Sequence, residues 1–100
     1  MNTTINNINQ ATVEELCKIN DITSLSLFGS YAREDFTPTS DVDMLVSFSK
    51  PKSLLDLVRV ERELSNRIGK QVDLVTEDAV SPYLKESIMS NLKIIYEQKG

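Results

Sequence analysis

Short runs of β-forming residues alternate with segments that carry apolar residues at helical spacing, and the alternation continues along a chain of only 100 residues. Residues 22–28, ITSLSLF, set Leu25 and Leu27 out of phase with Ser24 and Ser26, the two-residue period of a strand. Gly29 ends that run, and SYARED beyond it spans one or two helical turns. Thr37-Pro38-Thr39-Ser40 reads as a loop. Residues 42–48, VDMLVSF, make a second strand, closed by Lys50-Pro51. Ser53 and Asp56 cap a helix whose apolar face is Leu54, Leu57, Val58, Leu64 and Ile68. Leu55 and Val60 fall outside that stripe and are expected to be partly exposed. Gly69 supplies the helix stop. Residues 71–75, QVDLV, form a third strand. Ser81-Pro82 starts a helix with apolar Leu84, Ile88 and Leu92, and Lys93–Tyr96 reads as a last short strand or an irregular tail. At the front, Thr12 and Glu15 form a capping box for a helix over about 12–19 that ends near Asn20, after a loose polar lead-in over residues 1–10. Such alternation predicts an α/β fold in a single domain.

Composition removes whole classes of chemistry. The chain has no His, which excludes His-dependent nucleophilic triads, His acid/base work and His metal ligands. Cys17 is the one cysteine, so neither an intrachain disulfide nor a cysteine zinc site can form. It is expected in the core of the first helix. Tyr31 and Tyr96 are expected to pack their rings and expose their hydroxyls. A formal net charge of −4 disfavours stable binding to nucleic-acid backbone or anionic lipid. The polar N-terminus is not a secretory signal, and no apolar run approaches the ~18 residues of a membrane span. The lone cysteine fits a reducing compartment, and a cytoplasmic location is expected.

The residues left for catalysis gather between Gly29 and Ser47. In a strand, Asp41 and Asp43 project from one face while Val42, Met44 and Val46 project from the other. Two adjacent carboxylates repel, and oxygen-only donors favour a hard ion such as Mg²⁺. Gly29 permits a ligand to approach the backbone closely, and Ser30 opens a helical turn whose free amides favour a phosphate. Arg33 on the same turn can reach a triphosphate. Asp73 sits between Val72 and Leu74 on the third strand, which turns it away from the core. If that strand neighbours the second, three carboxylates share one face, an arrangement suited to two metal ions.

G-S, ten residues, D-x-D, then an Asp between apolar residues on a later strand: the combination resembles the nucleotidyltransferase superfamily of DNA polymerase beta, and within it the minimal nucleotidyltransferases (MNT) of prokaryotes. SDVDMLV, KQVDLVT and the SPYLKESI helix all fit. The resemblance implies a small mixed sheet with flanking helices. It implies that Gly29 and Ser30 hold the nucleoside triphosphate, that Asp41 and Asp43 bind metal, and that Asp73 completes the metal site and activates the acceptor hydroxyl. It implies transfer of NMP, AMP from ATP, with Mg²⁺, to a tyrosine of a partner HEPN ribonuclease toxin, which makes the chain an antitoxin. Two other readings are an antitoxin that neutralises its partner by contact alone and a small-molecule transferase of the antibiotic-modifying kind. The motif commonly has Gly where this chain has Glu34, so Glu34 and Asp35 add negative charge beside the phosphate site.

Overall fold

The computed structural model describes residues 10–35, 37 and 39–98. Its elements in chain order are α1 (Gln10–Ile19), β1 (Ile22–Phe28), α2 (Ser30–Arg33), β2 (Val42–Phe48), α3 (Leu54–Ile68), β3 (Val72–Thr76), a 3₁₀ turn (Glu77–Ala79), α4 (Pro82–Ser90) and β4 (Lys93–Glu97). The strands form one sheet in the order β3-β2-β1-β4. β1 pairs antiparallel with β2 and β4, whereas β2 and β3 run parallel. The sheet is therefore mixed, with flanking helices, as the resemblance implied.

The two faces of the sheet differ in kind. Leu25, Leu27, Met44, Val46, Val72 and Leu74 are buried and pack with Val13, Leu16 and Cys17 of α1 and with Val60, Leu64 and Ile68 of α3. Each such side chain contributes roughly 1.5–3 kcal/mol of hydrophobic stabilisation. Asp43 and Asp73 alternate with these residues and so lie on the opposite face.

Several boundaries depart from the sequence reading. α1 begins at Gln10, so Thr12 and Glu15 lie inside the helix and do not cap it. The Gln10 side-chain amide donates to the Ile95 carbonyl of β4 at 2.8 Å, which ties this end of the helix to the sheet. The rest of the expected lead-in, residues 1–9, lies outside the described residues. The left-handed residue after α1 is Asp21 (φ 61°) and not Asn20. Asn20 is buried, and its side-chain amide donates to the Leu16 carbonyl at 2.9 Å and to Glu63 Oε1 at 3.3 Å.

α3 shows the largest correction. Its buried stripe is Val60, Leu64 and Ile68, flanked by Leu57. Val60 is 1% exposed, whereas Leu54 is 74% and Val58 42% exposed. The helix rolls to place Val60 inward because Val60, Leu64 and Ile68 repeat every four residues, which a short helix can bury as one ridge. The Ser53–Asp56 capping box and the Gly69 stop (φ 80°) are present as read. Tyr31 is wholly buried, hydroxyl included, contrary to the expectation for its polar end. Ser81 caps α4, with Pro82 in its first turn, but α4 buries no residue, and Leu84 stands mostly exposed. The 93–96 segment resolves as strand β4. No described helix is long and apolar enough to cross a membrane.

Candidate active site

β1 ends beside β2, and the chain turns sharply at Gly29 into α2. Gly29 has φ 71° and ψ −146°, a backbone region that side chains other than glycine's scarcely tolerate. It also lies against a carboxylate: a Cβ built on Gly29 would meet Asp43 Oδ2 at 2.6 Å. Phe28 is the direct cross-strand partner of Asp43, so the β1–β2 register sets this contact. The turn is closed by the Arg33 amide donating to the Gly29 carbonyl at 3.1 Å, and by the Asp35 amide donating to the Ser30 carbonyl at 3.0 Å. The first amides of α2 therefore begin beside Asp43.

Asp73 is the register partner of Asp43 on the neighbouring parallel strand, and paired strands lie about 4.8 Å apart. Burial, then the Asp73 and Asp41 charges, hold the Asp43 carboxyl above its ordinary value against an opposing pull from Arg33. Burial, then Asp41 and Glu61, hold Asp73 above its ordinary value as well. Asp41, just before β2, thus acts on both neighbours. The three aspartates read from the sequence are brought together, and Arg33 is within electrostatic reach of Asp43.

Among the described residues, no group of three or more His, Cys, Asp or Glu is arranged to hold a metal ion unaided. The donor set still suits Mg²⁺, which is ordinarily bound by one or two carboxylates and completed by substrate phosphates and water. The Asp43 and Asp73 carboxylates, on paired strands beside a glycine turn, meet that description.

The charge added by Glu34 and Asp35 is largely neutralised. Glu34 occupies the left-handed position that ends α2 (φ 65°) and is ion-paired with Lys93 of β4. Asp35 pairs with Arg33 at 3.2 Å. Two contributors escaped the sequence reading. Glu61 of α3 bears on Asp73 and accepts the Leu74 amide at 2.8 Å. Lys93, remote in sequence, reaches the turn after the glycine. Only the packing of α3 on β3 and of β4 on β1 reveals either; no local motif marks them.

The profile of the nucleotidyltransferase domain family matches residues 10–95. The chain belongs to this family. This nucleotidyltransferase is 44% identical over 86 residues to "Putative protein adenylyltransferase MJ0435" of Methanocaldococcus jannaschii, covering 86% of this chain and 91% of that one. It is 32% identical over 85 residues to the protein adenylyltransferase MntA of Thermococcus cleftensis, covering 85% and 86%. Its fold matches a chain of a toxin–antitoxin complex with AMP-PNP at a TM-score of 0.76 and 21% identity, covering 92% of this chain and 76% of that one. It also matches a chain from a tri-AMPylated Shewanella oneidensis HEPN toxin in complex with MNT antitoxin, at 0.66 and 20% identity, covering 89% and 70%. At these identities the structural likeness is one of fold. The MNT recognition and the enzyme class read from the motifs both stand.

Proposed function

We propose that this nucleotidyltransferase transfers AMP from ATP to a tyrosine hydroxyl of a HEPN-type ribonuclease toxin and thereby acts as its antitoxin. The observation that carries the proposal is the contact of the Gly29 backbone with Asp43, one strand from Asp73. That contact supports a reading in which the amides after Gly29 take the phosphates beside the acidic groups.

In this reading Gly29 and Ser30 donate backbone N–H groups to the triphosphate, with the Ser30 hydroxyl as a further donor. Arg33 adds positive charge once its bond to Asp35 is exchanged for phosphate oxygen. Asp41, Asp43 and Asp73 would hold Mg²⁺, two ions in all, which when bound neutralises charge on the phosphate oxygens. Asp73 accepts the proton of the attacking hydroxyl. The new bond joins that oxygen to the α-phosphorus, the bond from the α-phosphorus to the β-bridging oxygen breaks, and pyrophosphate leaves. The chain, read as one minimal domain, relies on the acceptor protein to complete the pocket. We place it in the cytoplasm, consistent with its lone buried cysteine, and expect no stable complex with nucleic acid or membrane.

Intact-mass spectrometry tests this directly. The protein from the adjacent gene is co-expressed with this chain or with its Asp41→Asn/Asp43→Asn form. One or more added AMP masses, with the wild type only, are expected. A stable complex with no added mass overturns the enzymatic reading in favour of neutralisation by contact.

A further inference from the structure

β3 ends the sheet, and two amides on its outer edge are bonded to side chains of a single helix. The Val72 N–H donates to Ser65 Oγ at 3.0 Å, and the Leu74 N–H donates to Glu61 Oε2 at 2.8 Å. The spacings match: four helical residues rise about 6.0 Å, and two residues of a parallel strand span about 6.6 Å. α3 and β3 run in opposite directions here, so Ser65 meets the start of the strand and Glu61 its middle. The Ser65 hydroxyl is itself oriented, because it donates to the Glu61 carbonyl at 2.9 Å and so turns a lone pair toward Val72. Val72 and Leu74 also bury their side chains in the core. Each is therefore fixed twice, and Asp73 lies between them.

We propose that Glu61 and Ser65 are positioning residues for Asp73: by clamping residues 72 and 74 they fix the direction of the carboxylate between them, opposite Asp43. The proposal rests on the place given to Asp73 in the active site above. An edge strand has no second neighbour to hold its outer amides, and a misplacement of about 1 Å at a reacting group can cost on the order of 100-fold in rate. The hydrogen bond to Leu74 needs only an acceptor oxygen, which glutamine keeps, so Glu61→Gln separates the clamp from the Glu61 charge.

The test compares the full-length wild type with Glu61→Gln, Glu61→Ala and Ser65→Ala, using ATP and the acceptor protein found by co-expression. The alanine variants are expected to lose about 10- to 100-fold in kcat, while KM for ATP stays within about twofold. Glu61→Gln keeps the acceptor oxygen and loses only the charge that also bears on Asp73, so it retains more kcat than Glu61→Ala. Amide hydrogen exchange is the second readout: Val72 and Leu74 lose protection in the alanine variants, while Leu25 and Val46 keep theirs. Unchanged kcat beside an active wild type, with the two amides deprotected, overturns the clamp alone. A wild type that transfers nothing overturns the functional reading and the clamp with it. Should Glu61→Ala fail to fold, Ser65→Ala, which removes one oxygen, carries the same comparison.

Discussion

Lys93, at the start of β4, is ion-paired with Glu34, the residue that closes the turn after Gly29 in the left-handed conformation. A strand distant in sequence thus contacts the end of the candidate phosphate loop. It also explains how a glutamate is accommodated where glycine is the easier residue. The left-handed conformation costs a side chain roughly 1–2 kcal/mol, and an exposed ion pair recovers about 0–1 kcal/mol. Glu34→Gly is therefore expected to stabilise the fold by about 0.5–1 kcal/mol. Thermal denaturation checks this as a Tm a few degrees higher, and KM for ATP should not rise.

The two left-handed glycines separate conformational strain from crowding. Gly69 has open space where a Cβ would go, while the same atom on Gly29 would collide with Asp43. Gly69→Ala is expected to cost about 1 kcal/mol with transfer activity intact. Gly29→Ala adds a clash and a displaced carboxylate, so it should cost about 2–4 kcal/mol and abolish transfer. Urea unfolding and the mass assay, run on both variants, distinguish the two effects.

Asp43 and Asp73 have raised pKa values in the folded state, so the sign of their contribution follows. Between the ordinary value of 3.8 and the raised one, the folded chain holds more protons than the unfolded chain. Stability therefore falls as pH rises through that window, and the loss persists at neutral pH. Asp43→Asn removes the ionisation. It is expected to raise Tm at pH 7, with an advantage over wild type that shrinks as pH falls below the ordinary carboxylate range. The same variant should lose transfer activity by about 100-fold or more. A site that gains stability when its carboxylate is removed is one held for chemistry.

On α3, Val60 and Leu55 give opposite expectations. Val60 is in the core and Leu55 is 81% exposed. Val60→Ala is expected to cost about 2 kcal/mol, and Leu55→Ala less than about 0.5 kcal/mol. Matched denaturant titrations at constant slope check the difference.

The strands and the site were legible for one reason: both follow a two-residue period. Asp43 on one face, with Val42, Met44 and Val46 on the other, is a pattern that survives any packing, and Asp41 falls just before the strand. α3 was less legible, since Leu54, Leu57 and Val58 and the Val60–Leu64–Ile68 ridge both have helical spacing. The choice between them depends on where the sheet lies. The bond from Gln10 to β4 joins two ends of the chain, which local propensity cannot encode. Asn20 and Asp21 both tolerate the left-handed turn, and Asn20 is drawn inward by its bonds to Leu16 and Glu63. The pairings of Glu61 with Leu74 and of Glu34 with Lys93 join residues that no spacing rule connects.

The strand order also governs how the molecule is made. β1 emerges early in synthesis, yet one of its two neighbours, β4, is the last strand of the sheet. Until residues 93–97 are available, β1 carries an unpaired edge, the kind that templates pairing with other chains. Closing it is a non-local step and thus a slow one. Lys93 arrives in that same step, so the ion pair at the end of the phosphate loop forms only with the finished sheet.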